Sequence, residues 1–317
     1  MPLSRRLTLD LDVDRVRPIV SDLDRSLRPT GVSRLAGGLT EVYRLDFAAG
    51  APALVLKLYA DEPAWFAAKE ALVAGWIAKA CDLPIPQWFV VDESRTRLPL
   101  RFAITSLLPG TPMRSFRGDA HAAAAYRQMG AMLRRLHIIA MPAFGYVMGS
   151  GIEPPHPSNG AHMADAFEQA FRRFRDHSGD AASTRRLEEA VSVRFDLLTV
   201  CERPVLLHQD FQPGNVLAER RRDGGLSLTG VIDFANARAG DPLMDLATAL
   251  SCCAHEDPSS RAPLLEGYGA ADHPDVAGAL KLYEFYHQLT LWGWFMQIGE
   301  PGEAGPASAL SDFASGP

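Results

Sequence analysis

The sequence lacks the features that identify secreted, zinc-binding and membrane-spanning proteins. Its four cysteines form no CxxC pair and no Cys/His metal spacing, and two of them are adjacent. This pattern disfavours a disulfide framework and indicates reduced thiols. Residues 1–16 are interrupted by charges and do not resemble a signal peptide, and no apolar run approaches the roughly 20 residues of a membrane span. We therefore expect a cytoplasmic protein with no membrane partner.

An excess of positive charge is also missing. The 317 residues carry a formal net charge of −6, and basic patches are sparse. A mildly acidic chain has no electrostatic reason to bind nucleic acid or an anionic membrane. Such a charge could attract a cationic substrate, although solubility alone explains a value this small. The hydrophobic fraction of 47% is ordinary for a globular protein with a sizeable core.

The order of the predicted elements divides the chain near Pro109. Before this residue, the patterns predict a helix at 13–27, a second helix at 63–80 and strands at 33–35, 42–47, 53–59, 88–92 and 101–107. After it, they predict helices at 121–139, 163–177, 183–198 and from 242 onward, with strands only within 204–217 and 226–232, a loop at 141–160 and a frayed end at 301–317.

This order predicts an α+β protein of two lobes with a cleft between them. We expect a small β-rich N-terminal lobe at 1–104, a hinge at 105–111 and a larger, mainly helical C-terminal lobe at 112–317.

The strongest chemical signal is the segment HQDFQPGN at 208–215. Asp210 and Asn215 are five residues apart, and Asp233 follows Asn215 by 18 residues, after an apolar strand. Phosphoryl transfer needs a divalent metal held by hard oxygen ligands and a carboxylate that orients the attacking hydroxyl. A hairpin would bring all three side chains to one edge of the cleft, and their spacing matches that of a kinase catalytic loop.

A simple turn rich in Asp, Pro, Gly and Asn is the alternative for this loop. The second aspartate favours phosphoryl transfer over a simple turn. We expect His208 to pack and hold the loop by hydrogen bonds, and Asp241 and Asp245 to support it without binding metal.

The N-terminal third supplies candidates for binding phosphates. Lys57 lies inside an apolar strand, where its ammonium group needs partners such as phosphate oxygens and a carboxylate. Glu70 in the next helix is the preferred ion-pair partner, and Glu62 is a weaker one. A lysine on the solvent face of an edge strand is the alternative.

Two backbone segments are further candidates for nucleotide binding. The segment Gly37-Gly38-Leu39-Thr40 could bring N–H groups close to phosphates, although most Gly-Gly pairs are simple turns. In the connector, Ser106 and Leu108 would offer backbone groups to an adenine edge, unless the connector is an ordinary linker.

With these motifs in this order, the chain resembles the aminoglycoside phosphotransferase family of the protein-kinase-like superfamily, which also includes choline and homoserine kinases. The resemblance extends over residues 33–250 and rests on GGLTEVY, Lys57, Glu70, the helix end LRRLH, HQDFQPGNVL, Ile232-Asp233-Phe234 and Gly240-Asp241-Pro242 with Asp245. Two departures from the usual pattern are Gln209, where the family usually has Gly, and the absence of Gly after Phe234.

The resemblance implies a bilobal protein-kinase-like fold and an enzyme that uses ATP and Mg²⁺. By position, Asp210 would be the catalytic base, and Asn215 and Asp233 would bind Mg²⁺. Lys57, paired with Glu70, would contact the α- and β-phosphates. Gly37, Gly38, Thr40, Ser106 and Leu108 complete the expected nucleotide site.

The expected activity is transfer of the γ-phosphate to a hydroxyl group of a small molecule. An aminoglycoside-like antibiotic or other cationic natural product is the first candidate, because the C-terminal third mixes aromatic residues with Glu256, Asp257, Glu266 and Glu284. Core packing is the preferred explanation for most of those aromatics. A metabolic kinase of the homoserine, choline or sugar type and a catalytically silent nucleotide-binding module stay open, and the sequence does not define the oligomeric state.

Overall fold

The computed structural model describes residues 9–35, 41–59, 66–178, 181–305, 307, 310 and 312–315. They form a small lobe built on one antiparallel sheet and a larger lobe built mainly of helices, which confirms the α+β prediction. Among the helices within these ranges, none combines the length and apolar character that crossing a bilayer requires.

The N-terminal lobe consists of α1 (Val13–Leu23), β1 (Pro29–Arg34), β2 (Glu41–Phe47), β3 (Leu54–Tyr59), α2 (Phe66–Ala80), β4 (Trp88–Asp92) and β5 (Arg101–Ser106). The strands form one sheet in the order β1-β2-β3-β5-β4, with every neighbouring pair antiparallel. Alternation in β2 buries Tyr43, Leu45 and Phe47 in one cluster with apolar residues of α1. Because β3 is the central strand, it is buried on both faces, and Lys57 is its only residue that is not fully buried.

The C-terminal lobe is built on the helices α3 (Ala122–Leu136), α4 (Asn159–Ser178), α5 (Ala181–Ser192), α6 (Pro242–Glu256), α7 (Arg261–Tyr268) and α8 (Val276–Ile298), followed by the short α9 (Pro301–Ala304) and α10 (Asp312–Ser315). Their apolar faces share one large core with Val73 and Ile77, in the C-terminal half of α2. Asp241 caps α6 by accepting the Leu243 N–H at 2.8 Å, and Pro242 occupies the first turn.

Short strands of the C-terminal lobe frame the loop that carries Asp210. They are β6 (Thr111–Pro112), β7 (Gly145–Met148), β8 (Gly151–Ile152), β9 (Val205–Leu207), β10 (Val216–Arg220), β11 (Leu226–Val231) and β12 (Arg238–Gly240). They form two small sheets, in the orders β11-β10-β6 and β8-β7-β12-β9. The loop leaves the second sheet at the end of β9 and enters the first at the start of β10.

The sequence patterns missed the shortest strands. The predicted loop at 141–160 contains β7 and β8, and β6 and β12 were not predicted at all. Two- to four-residue strands are too short to display a period of two, and pairing with distant segments forms them instead. The predicted frayed end contains α9 and α10, and the helix predicted at 183–198 ends at Ser192, before a 3₁₀ turn at Phe195–Thr199.

Candidate active site

One buried carboxylate anchors the loop of residues 208–215. Asp245, in the first turn of α6, is fully buried and accepts the backbone N–H groups of His208 and Gln209, each at 2.7 Å. His137 Nε2 lies 3.1 Å from Asp245 Oδ2. Burial alone would raise the pKa of Asp245, but His137 and the other hydrogen bonds outweigh it and hold the pKa below its usual 3.8. Asp245 therefore stays charged and supports the loop, as the sequence suggested.

Gln209 adopts a strained backbone conformation in this loop, with φ +60°. A side chain disfavours this left-handed region, whereas glycine tolerates it. Gln209 lies where the resembled family usually has glycine. Besides the backbone bond, its Nε2 donates to Asp245 Oδ1 at 3.3 Å, so the carboxylate holds the residue in place.

His208 links the loop to the strand that follows it. Its ring is fully buried, Nδ1 accepts the Asp210 N–H at 3.2 Å, and Nε2 lies 3.1 Å from the Ile232 carbonyl oxygen. A carbonyl oxygen can only accept and a backbone N–H can only donate, so His208 is the neutral tautomer with its proton on Nε2. Both ring nitrogens are thus used in holding the loop, and neither is available as a base or a metal ligand.

Asp210 projects from this loop with both carboxylate oxygens hydrogen-bonded. Gln212 Nε2 donates to Oδ1 at 2.6 Å, and Asn215 Nδ2 donates to Oδ2 at 2.8 Å and to the Asp210 carbonyl at 2.9 Å. Burial raises the pKa of Asp210, with Asp233 acting in the same direction and the hydrogen bonds from Gln212 and Asn215 opposing. Each oxygen keeps a second lone pair, so the carboxylate can still accept a hydrogen bond from a bound hydroxyl.

Asp233 lies at the end of the hairpin that begins with Asn215. Val216 pairs with Val231, and the Ile232 N–H donates to the Asn215 carbonyl at 2.9 Å, which fixes the two residues side by side. Asp233 has φ +68°, so the chain turns sharply after β11, and the carboxylate is 39% exposed. The hairpin therefore brings Asp210, Asn215 and Asp233 to one edge, as their spacing predicted.

Lys57 reaches from the N-terminal lobe toward this edge. Its Nζ lies 2.8 Å from both carboxylate oxygens of Glu70 on α2 and 3.9 Å from Asp233 Oδ1. Burial would lower the pKa of Lys57, but the charges of Glu70 and Asp233 outweigh it and raise the pKa. Tyr59 also donates to Glu70, at 3.1 Å. The predicted Lys57–Glu70 pair is present, and Glu62 lies outside the described residues.

The oxygen atoms near Asp233 suit a hard divalent cation. The amide of Asn215 donates through Nδ2, which leaves Oδ1 as an acceptor, and Asp233 accepts no hydrogen bond from any residue of the described ranges. Within those ranges, no group of three or more His, Cys, Asp or Glu side chains forms a metal cage. This donor set is typical of Mg²⁺, which uses one or two carboxylates and completes its octahedron with phosphate oxygens and water.

The hinge residue Ser106 has an unusual hydrogen-bonding pattern. Its N–H donates to the Gln87 carbonyl at 2.8 Å, but the Gln87 N–H donates to Ser106 Oγ at 2.9 Å and not to the Ser106 carbonyl. The Ser106 hydroxyl thus accepts the hydrogen bond that the Ser106 carbonyl would accept in a regular antiparallel pair. Among the described residues, the Ser106 carbonyl has only a weak contact, with Thr105 Oγ1 at 3.3 Å.

Leu108 lies two residues further along the hinge and packs its side chain onto Gly230 of β11, where an added Cβ would overlap Leu108 Cδ1. The Leu108 N–H bonds to no group in the described part of the chain. Within the described residues, the predicted hinge thus presents the Ser106 carbonyl as an acceptor and the Leu108 N–H as a donor. The predicted phosphate-binding residues Gly37, Gly38 and Thr40 lie outside the described residues.

Two residues that sequence reasoning missed extend the site toward the hinge side. Arg114, which follows β6, donates to Gln212 Oε1 at 3.1 Å, pairs with Glu256 at 3.1 Å and lies directly over Gly214. Gln212 in turn donates to Asp210. Gln212 was visible inside the loop motif, whereas nothing in the sequence connects Arg114 with a loop about 100 residues away.

The acidic residues of the C-terminal third are engaged within the protein. Glu256 pairs with Arg114, Glu266 with Arg127 at 2.6 Å and Glu284 with Arg261 at 2.7 Å, while Asp257 caps the turn at Ser259. The aromatic residues Tyr283, Phe285, Tyr286 and Trp292 are buried in the core. The sequence had suggested core packing as the explanation for most of these aromatics.

A two-lobed α+β fold with a lysine–glutamate pair in one lobe facing an aspartate–asparagine–aspartate edge in the other defines a kinase-like phosphotransferase. The model of the phosphotransferase enzyme family matches residues 31–280. The chain belongs to this family, which confirms the predicted family and enzyme class. No curated protein sequence matches the chain at a significant level.

Solved structures of antibiotic phosphotransferases share the fold. Aminoglycoside phosphotransferase APH(4)-Ia superposes with a TM-score of 0.70 at 18% identity, over 96% of this chain and 99% of that one. Macrolide 2′-phosphotransferase MphH from Brachybacterium faecium gives 0.64 at 19% identity, over 96% and 98%. Aminoglycoside 2′-phosphotransferase-IIIa gives 0.61 at 16% identity, over 96% and 99%. The bilobal kinase-like fold is therefore confirmed.

Proposed function

We propose that this protein transfers the γ-phosphate of Mg-ATP to a hydroxyl group of a small natural product, with an antibiotic of the aminoglycoside type as the first candidate. The observation that carries the proposal is the convergence of Asp210, Asn215 and Asp233 on the edge that Lys57 faces from the other lobe. Among the relatives in fold, thermostable mutants of APH(4)-Ia have been crystallised with ADP and hygromycin B and with AMP-PNP and hygromycin B.

Asp210 would act on the acceptor. Its free lone pairs can accept a hydrogen bond from the attacking hydroxyl, orient it and take its proton as the new P–O bond forms. Asn215 and Gln212 hold the carboxylate in one orientation, so little reorganisation is needed when the acceptor binds.

Asn215 Oδ1 and Asp233 would hold Mg²⁺, which when bound neutralises charge on the phosphates. Lys57, oriented by Glu70, would contact the α- and β-phosphates from the other lobe. The 3.9 Å separation of Lys57 Nζ and Asp233 Oδ1 leaves both charges near the path of the phosphate chain.

The hinge favours ATP over GTP. Adenine offers an exocyclic N–H₂ donor beside the N1 acceptor, which complements the Ser106 carbonyl and the Leu108 N–H. Guanine offers O6 and N1–H in the opposite order, so its O6 would face the Ser106 carbonyl oxygen. We therefore expect a lower KM for ATP than for GTP.

We also propose a cationic acceptor, although fewer acidic residues are available to attract it than the sequence suggested. The four acidic residues singled out in the C-terminal third are each paired or cap a turn, so attraction would come from the net charge of −6 and from Asp210 and Asp233. Attraction between exposed charges is screened beyond roughly 8–10 Å at 0.1–0.15 M salt, so kcat/KM for a cationic acceptor should fall as salt rises. An ATP-using enzyme of this kind would work in the cytoplasm.

The test is a panel of aminoglycosides, macrolides, choline, homoserine and sugars incubated with Mg-ATP and read by mass spectrometry for one added phosphate. With the acceptor identified, Asp210→Asn should lower kcat by roughly 10²–10⁴ while Mg-ATP binding persists in calorimetry. Wild-type turnover by this variant would refute the role of Asp210. Transfer only to a metabolic alcohol would replace the antibiotic assignment, and ATP binding without transfer to any acceptor would favour a silent module.

A further inference from the structure

A lysine beside Glu70 is largely buried, and its side chain has no partner among the described residues. Lys69 on α2 is 5% exposed, and within the described ranges it forms no hydrogen bond and no ion pair. Burial, followed by repulsion from Arg238, lowers the pKa of Lys69 to about 7, and Glu70 opposes this only in part. A buried ammonium group without an anion is costly, so this position needs an explanation.

The second cation of the pair, Arg238, comes from the C-terminal lobe. Its guanidinium donates to the Tyr286 hydroxyl at 3.1 Å and lies over the Tyr146 ring, 4.4 Å from the centroid. Among the described residues, no carboxylate lies within ion-pair distance of Arg238. The charge of Asp245 acts on it without contact, because the oxygens of Asp245 are bonded to the loop and His137.

The fold brings the elements that carry these two cations together. Arg238 on β12 is the direct cross-strand partner of Tyr146 on β7, and α2 packs against β7. Side chains of cross-strand partners lie on the same face of a sheet, so Arg238 and Tyr146 both face the side on which α2 can place Lys69.

The imidazole of His162 is a third buried group near Arg238, and its N–H has no acceptor among the described residues. His162 on α4 is fully buried, and neither of its ring nitrogens has a hydrogen-bond partner in the described part of the chain. Its ring meets that of Tyr146 edge-on at 5.8 Å. Burial and then Arg238 lower the pKa of His162 to about 3, so the ring is neutral and offers one N–H donor.

We propose that Lys69 and Arg238, with His162 beside them, form a binding site for a small oxyanion such as inorganic phosphate or sulfate, between α2 and the β7–β12 ladder. The cluster contains two cations and a free imidazole but no anion, and buried donors of this kind are normally satisfied. An oxyanion would accept from all of them and would link the helix that carries Glu70 to the C-terminal lobe. Lys57 and Asp233 contact none of these three side chains within the described residues, and the site does not depend on the proposed activity.

The experiment measures thermal unfolding of the full chain in EDTA, without nucleotide, against sodium phosphate, sodium sulfate and sodium chloride at equal ionic strength. Phosphate and sulfate should raise Tm above the chloride series and the rise should follow a single-site saturation curve, because ligand that binds only the folded state stabilises it. No saturable difference from chloride would overturn the proposal.

Variants locate the site. Lys69→Met keeps the apolar stem and removes the charge, so it should raise Tm without anion and abolish the saturable increment. Arg238→Lys should weaken the increment at least tenfold in apparent Kd, because the bidentate fork is lost. Lys79→Met, which removes an exposed lysine from the same helix, should retain the wild-type increment.

Lys57→Met distinguishes this site from the nucleotide phosphate pocket. The proposal requires the increment to persist in Lys57→Met. An increment that is lost in Lys57→Met and retained in Lys69→Met would assign phosphate to the nucleotide pocket and overturn the proposal. Equal losses in Lys69→Met and Lys79→Met would show a general charge effect and overturn it as well.

Discussion

The substitution Asp245→Asn removes the buried charge that anchors residues 208–215 while keeping the side-chain shape nearly unchanged. The carboxylate accepts two backbone N–H groups at 2.7 Å and faces His137 at 3.1 Å. A hydrogen bond to a charged group contributes about 1.5–3 kcal/mol. Asparagine keeps one acceptor oxygen and turns an NH₂ group toward the remaining donors, so we expect a loss of about 3–5 kcal/mol in unfolding free energy.

Urea unfolding measures this loss as a lower midpoint with an unchanged slope. The matched control is Asp272→Asn, an equal change of charge at an exposed residue, which should stay within about 0.5 kcal/mol of wild type. The pKa of Asp245 is lower in the folded protein than its usual 3.8, so its stabilisation is complete well above that pH and is lost as the pH falls through the folded-state pKa. The difference between wild type and Asp245→Asn should therefore be full at pH 7 and shrink in acid.

Activity gives a second measurement of the same substitution. A loop released from Asp245 would no longer orient Asp210, so kcat should fall more than the affinity for Mg-ATP. An Asp245→Asn protein as stable as the Asp272→Asn control, or one with unchanged kcat, would show that this carboxylate does not hold the loop.

Three further outcomes are expected. Lys57→Met leaves the carboxylate of Glu70 buried without its ion-pair partner, so it should lower the unfolding free energy in urea by about 3–5 kcal/mol. The double variant Lys57→Met/Glu70→Gln should recover part of this loss, and no recovery would contradict the pairing. Asp233→Asn should reduce the Tm increment caused by Mg-ATP to the level that wild type shows with ATP and EDTA, whereas a full increment would remove Asp233 from the metal site. Gly230→Ala should displace Leu108 and raise the KM for ATP without changing the Mg²⁺ dependence, and an unchanged KM would exclude Leu108 from the nucleotide site.

The sequence predicted those parts of the site that are close along the chain. Asp210, Asn215 and Asp233 belong to one loop and one hairpin, and Lys57 and Glu70 belong to adjacent elements, 13 residues apart. In such units, spacing along the chain determines proximity, because a hairpin returns to its starting edge.

Contacts between distant segments were not predictable. Asp245 lies 36 residues beyond Gln209, Arg114 lies 98 residues before Gln212, and the helix that carries Lys69 packs against β7, the strand paired with that of Arg238. These contacts depend on how the two small sheets and α2 pack. The strands that position them, β7 and β12, have four and three residues, and a single sequence contains no periodic signal for them.

Hydrogen bonds beside the predicted hinge limit how the two lobes can separate. Leu217 pairs with Pro112 across β10 and β6, Thr229 Oγ1 donates to the Pro109 carbonyl at 2.6 Å, and the Val231 N–H donates to the Pro84 carbonyl at 2.9 Å. The Val231–Pro84 bond joins the two lobes, the Thr229–Pro109 bond ties the connector to β11, and the β6–β10 pairing holds the end of the connector within the C-terminal lobe. If the lobes separate while these contacts persist, the spacing beside Ser106 and Leu108 should change less than the spacing between Lys57 and Asp233. Such a movement would widen the cleft on the side of Lys57 and Asp233.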